Sequence, residues 1–115
     1  MELLEINNSL SALPQKIRDA SNAYVAAKQT TELAKLRYEV TLSQGLLKSQ
    51  KANASLQKAE ALIYAKEEKK SLFQAELDES KLENELSYLS NQFIATRKIA
   101  SLYELEAKNT SRQGF

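Results

Sequence analysis

The chain has 115 residues, with 16 basic and 15 acidic side chains, two Gly, one Pro and no Cys, His or Trp. Without Cys or His, a disulfide and any metal site built on those ligands are excluded. So few turn-forming residues point away from sheet, and near-balanced charge points away from a dedicated nucleic-acid binder, which carries a basic excess.

The predicted class is therefore all-α, as a single helical domain over residues 1–115. The opening MELLEINNSL lacks the basic leader and continuous apolar run of a signal peptide. No stretch approaches the ~20 apolar residues of a membrane span. A cytoplasmic protein without membrane attachment is expected. On that expectation the three Asn-x-Ser tripeptides, at Asn7, Asn53 and Asn109, are chance matches.

In the first half, Leu3, Ile6, Leu10, Leu13, Ile17, Ala20, Tyr24, Ala27, Thr31, Ala34 and Tyr38 follow at steps of three and four. This is a heptad stripe, the spacing of a left-handed coiled coil. Pro14 lies within it. Proline is tolerated in the first turn of a helix and costly beyond it. With Ser11 as N-cap, the segment is expected to split into a short helix over 2–8 and a long arm over about 12–49. One helix kinked at Pro14 is the alternative.

The stretch SQGLLKSQKANASLQK then interrupts the strong helix formers with Gly45 and a polar run. Residues 49–54 are expected to be non-helical, within a connector over about 50–66. A short helix over about 55–65, capped by Asn53 or Ser55, should show its own apolar face of Leu56, Ala59 and Ile63. KEEKK at 66–70 breaks the apolar pattern and marks a second change of direction.

A second arm is expected over about 67–108. Its stripe is Ala75, Glu79, Leu82, Leu86, Leu89, Phe93, Thr96, Ala100, Tyr103 and Ala107, and it ends before a frayed NTSRQGF. Folding about a point near residue 52 sets Ala27 near Ala75 or Leu77, Ile17 near Leu86 or Leu89, and Leu10 near Phe93. Small residues on one arm then meet large ones on the other. The predicted architecture is an antiparallel coiled-coil helical hairpin with short N-terminal and connector helices.

One seam does not use all the apolar residues. Val25, Leu33, Leu36, Val40 and Leu47 lie well round the first arm from its stripe, as do Phe73, Leu77, Ile94, Leu102 and Leu105 on the second. Such a second face needs another helix to cover it. A homo-oligomer is expected, a dimer forming a helical bundle first, with a host or phage protein partner as the rival. The short helices folding back is the intramolecular alternative.

Three other constellations carry less. Glu76, Asp78, Glu79, Glu83 and Glu85 are acidic neighbours, but carboxylate-bridged metal sites in bundles pair Glu with His, and there is no His. They read as a solvated face, and no cofactor is implied. Lys48, Lys51 and Lys58, with Lys66, Lys69 and Lys70 beyond, make a basic tip that could meet phosphates. Arg and interleaved aromatics, which base readout would use, are missing there. Tyr24 and Tyr38 read as wide core layers. No residue set suggests catalysis.

The segments LAKLRYEV (Leu33–Val40) and LFQAELDESKLENELSYLSNQFIATRKIASL (Leu72–Leu102) frame a Lys/Asn-containing interruption and a short Ala-rich helix. In this order they resemble the small helical proteins that many tailed bacteriophages and prophages encode, often among replication and recombination genes. The likeness covers roughly residues 30–105 and rests on pattern. It implies a mobile-element origin and an accessory role in nucleic-acid metabolism, and it carries over no site residue. The residues themselves suggest a non-enzymatic oligomeric interaction protein, with DNA contact through the basic tip as the alternative.

Overall fold

The computed structural model describes the backbone of residues 2–113 and the side chains of residues 2–109. It has the expected all-α class: α1 (Leu3–Lys48), α2 (Ala54–Tyr64) and α3 (Lys66–Gln113), with no strand among the described residues. These fall into two compact units, Met1–Ala23 with Glu83–Phe115, and Tyr24–Leu82.

α1 does not split. It runs unbroken through Pro14, and Ser11 is no cap, because its Oγ donates to Asn8 O at 3.0 Å instead of accepting from the backbone. An interior proline costs about 3 kcal/mol, through the hydrogen bond lost at Leu10 O and a clash with that turn. Burial on both sides offsets it. Ile6 is 0% exposed and Leu13 3%, one heptad apart, and only a continuous helix keeps both on one line. Pro14 itself faces solvent, so water can reach the carbonyl it leaves free.

In the unit Tyr24–Leu82, the core is narrow and built of small residues. Thr31, Ala34 and Gly45 from α1, Ala61 from α2, and Leu72 and Ala75 from α3 are all buried, as is Ala65 between the last two helices. Tyr38 packs against the Ala34–Leu72–Ala75 cluster. The contacts rise along α1 as they fall along α2 and α3. Thr31 Oγ1 lies 3.2 Å from Ala75 O, Lys69 Nζ sits 4.9 Å over the Tyr38 ring, and Gly45 abuts Ala61. The same Thr31 hydroxyl is 3.0 Å from Ala27 O, so one proton serves the helix turn and the neighbouring helix. A side chain bonding directly to a neighbouring backbone requires the two helices to approach closely, which the alanines permit.

Gly45 is no turn residue. It lies inside α1, and no described glycine has a positive φ. A Cβ built on it would stand 3.0 Å from Ala61 Cα and 3.1 Å from Tyr64 Cδ1. The glycine is there so that α2 can lie against α1.

The non-helical segment between α1 and α2 is short. Ser49 N donates to Gly45 O at 3.1 Å and continues the helical pattern for one residue. Lys51 N donates to Ser49 Oγ, and Gln57 Nε2 reaches back to Lys51 O. Asn53, extended at φ −99° and ψ 132°, caps α2 by accepting from Ser55 N at 2.7 Å. This satisfies one of the donors that every helix start leaves open.

One residue, Ala65 at φ −95° and ψ 14°, separates α2 from α3, and KEEKK opens α3. Glu67 and Glu68 there suit the positive end of the helix dipole, and Lys70 reaches Glu67 at 3.6 Å. Two expectations for the connector and second arm are corrected. The buried face of α2 is not Leu56, Ala59 and Ile63, all of which are exposed, Ile63 at 74%. It is Ala61, at 0%, continued by Ala65. The steps Ala61, Ala65, Glu68, Leu72 and Ala75 extend the α3 stripe backwards without a break, and only small residues fit opposite Gly45. Finally, α3 does not stop near 108 but runs to Gln113; the expected tail glycine, Gly114, lies outside the described residues.

In the unit Met1–Ala23 with Glu83–Phe115, Ile6, Leu13, Ala20 and Thr96 are buried. Thr96 Oγ1 bonds Gln92 O at 2.7 Å and so satisfies its own hydroxyl. Leu86, Leu89 and Phe93 are mostly buried as expected, and so is Leu82 in the other unit, though none is fully enclosed. One neighbouring helix covers only about 100° of a helix surface, so flanking positions of the stripe keep an open edge.

Candidate interaction surface

Among the described residues no group of three or more acidic side chains converges in a way that could hold a metal ion. In the acidic run, Asp78 accepts from Gln74 Nε2 at 3.0 Å along one helix face, and Glu79 alone is partly buried. No helix among the described residues is long and apolar enough to cross a membrane.

The basic tip is partly committed within the chain. Lys48 Nζ donates to the Tyr64 hydroxyl at 2.8 Å and lies 5.0 Å over the same ring, so it ties the end of α1 to the end of α2. Lys69 lies over Tyr38, and Lys70 pairs with Glu67. Lys51, Lys58 and Lys66 stay exposed and outside these contacts. Three cations on a small tip are a thin footprint for a phosphate backbone, whose binding strength scales with the number of phosphates neutralised. Likewise Arg97 is drawn over Phe93, at 5.7 Å, and Lys28 over Tyr24, at 5.4 Å.

The apolar residues outside the seam present the larger surface. Val25, Leu33, Leu36, Val40 and Leu47 on α1 are all exposed, Leu47 at 86%. The helix advances about 100° per residue, so they lie roughly 135–175° round from the buried line through Thr31, Ala34, Tyr38 and Gly45. They form a second stripe on the far side of the helix from its seam. Phe73 and Leu77 are exposed on α3 in the same unit. Ile94, Leu102 and Leu105 are exposed in the other unit. The short helix α2 does not fold over the α1 stripe. It lies on the seam side, against Gly45, and adds exposed Leu62 and Ile63 of its own.

Charged residues border the α1 stripe: Glu32 and Glu39 on one edge, Arg37 on the other, all exposed. Arg37 also lines a shallow opening with Ala34, Glu67, Glu68 and Ser71. Among the described residues the Lys70–Glu67 contact is the one ion pair, so Glu32, Arg37 and Glu39 enter none within the chain. Sequence reasoning found the stripe but not its charged borders, which the i to i+5 offset from Glu32 to Arg37 could have disclosed. It also missed Gly45, Ala61 and Leu72 as seam residues. The unbroken three-and-four stepping from Ala61 to Ala75 was the available signal.

No protein-family model, curated protein or solved structure matches the chain.

Proposed function

We propose that the protein is a non-enzymatic interaction module: an antiparallel coiled-coil hairpin that pairs with a second copy of itself into an assembly of four long helices. The observation that carries this reading is the exposed stripe Val25, Leu33, Leu36, Val40 and Leu47 on the side of α1 that no other element covers. A row of large apolar side chains left in water invites association, and closed two-fold pairing is the commonest way to cover it. The run of contacts from Thr31–Ala75 to Gly45–Ala61 supports the hairpin. The resemblance of Leu33–Val40 and Leu72–Leu102 to small helical phage proteins supports an accessory role in a mobile element, acting in the cytoplasm.

Sedimentation of the chain at micromolar concentration tests the reading, with a dimer as the expected result. Leu36→Lys combined with Val40→Lys should dissociate it while circular dichroism keeps its helical amplitude. A folded, soluble monomer refutes self-pairing and leaves the stripe to a different protein. Salt-dependent DNA binding lost on Lys51→Ala with Lys58→Ala would instead move the function to the basic tip.

A further inference from the structure

We infer that the two copies meet along α1 in parallel, with the Leu33–Leu36–Val40–Leu47 stripe of each packed in register on the other and Glu32 of one copy facing Arg37 of its partner. This rests on the dimer reading above and adds its orientation.

The stripe has two series. Leu33, Val40 and Leu47 recur every seven residues, and Gln29, Leu36 and Ser43 do so between them. These are the alternating seam positions of a heptad. In a parallel, in-register pair each residue meets its own copy. Leucines and valine then meet their like, and the two polar layers, Gln29 and Ser43, can hydrogen-bond across the axis. In an antiparallel pair centred on Leu36, Gln29 would come level with Ser43 of the partner, and Val25 with Leu47.

The bordering charges decide between the two. In parallel coiled coils a residue just before one seam position faces a partner residue five further along. That places Glu32 against Arg37 of the other copy, twice by symmetry, and Glu39 against the neutral Gln44. Reversing one helix brings like edges together instead. Glu32 would then face Glu39, and Arg37 would face Arg37, each at the cost of like-charge repulsion. None of these groups enters an ion pair within the chain, so all are free to take these roles. The stripe lies opposite the intramolecular seam, so pairing along it leaves the Thr31–Ala75 and Gly45–Ala61 contacts untouched.

The chain has no Cys, so a single introduced thiol reports the orientation in the full-length protein. Leu47→Cys and, separately, Leu33→Cys are oxidised and run on a non-reducing gel. In the parallel dimer each links to its own copy, because facing seam positions fall within disulfide reach. In the antiparallel dimer two sulfurs introduced at position 47 stand about 33 Å apart, from the ~1.5 Å rise per residue. Leu47→Cys then stays unlinked, and a mixture of Val25→Cys with Leu47→Cys links instead. A second measurement is independent of the thiols. Glu32→Lys weakens the parallel dimer by roughly two- to tenfold, as two exposed ion pairs become repulsions, and adding Arg37→Glu restores it. If Glu32→Lys strengthens the dimer, the parallel arrangement is wrong. A dimer with the antiparallel pattern refutes the orientation alone, whereas a monomer by sedimentation refutes the pairing itself.

Discussion

Replacing Gly45 by Ala sets two effects of opposite sign against each other. Inside a helix, Gly→Ala stabilises by up to about 1 kcal/mol, because the unfolded chain has less freedom to lose. At this position the new methyl would stand 3.0 Å from Ala61 Cα, 3.1 Å from Tyr64 Cδ1 and 3.2 Å from Ala61 Cβ. The Tyr64 ring can swing aside only by releasing Lys48, which bonds its hydroxyl and lies over its face. Ala61 Cα is backbone in an 11-residue helix that is capped at Asn53 and runs into α3 after one residue. α2 therefore has to move as a body. Overpacking of this kind costs typically 1–3 kcal/mol, so Gly45→Ala should destabilise by a net ~0.5–2 kcal/mol. The assay is urea unfolding followed by circular dichroism at fixed protein concentration, since self-association would shift the midpoint. Lys35→Ala, ten residues away, exposed and on neither the seam nor the second stripe, is the control for helix propensity alone. If Gly45→Ala stabilises as much as the helix scale allows, α2 does not rest on Gly45 and the close-packing account fails. Gly45→Leu should be far worse than Gly45→Ala if that account is right.

Other substitutions probe separate parts of the fold. Leu72→Ala should cost roughly 2–4 kcal/mol, as for buried leucines, and the less fully enclosed Leu86→Ala clearly less; equal losses in urea unfolding would show that the two sites are equally enclosed. Pro14→Ala should raise stability by about 1–3 kcal/mol by restoring the bond to Leu10 O, and a neutral or negative change would mean α1 is broken there. Asn53→Ala should cost about 1 kcal/mol by removing the cap from α2, with Asn53→Asp retaining most of it; calorimetry that shows no difference from the parent would contradict the cap.

Much of the candidate surface was legible because exposure and periodicity are both one-dimensional. Val25, Leu33, Leu36, Val40 and Leu47 fall off the main stripe by counting alone, and the structure leaves them in water. The basic tip was legible only as composition. That Lys48 is held by Tyr64, sixteen residues on, depends on how α1 and α2 lie together. No local pattern announces that contact.

The helical class, the seam line through Ile6, Leu13, Ala20, Thr31 and Ala34, and the cap at Asn53 follow from the order of residues alone. Each depends on neighbours within one or two turns, whose spacing and hydrogen-bonding chemistry the chain carries with it. Tertiary packing decided the rest. Pro14 looks like a helix start by local preference, yet it lies inside one continuous helix, because burying Ile6 with Leu13 requires the pair to keep one phase. Gly45 looks like a breaker until Ala61 is seen against it. Local propensities amount to about 1 kcal/mol per residue, or about 3 for proline, and a buried seam running across the site outweighs them.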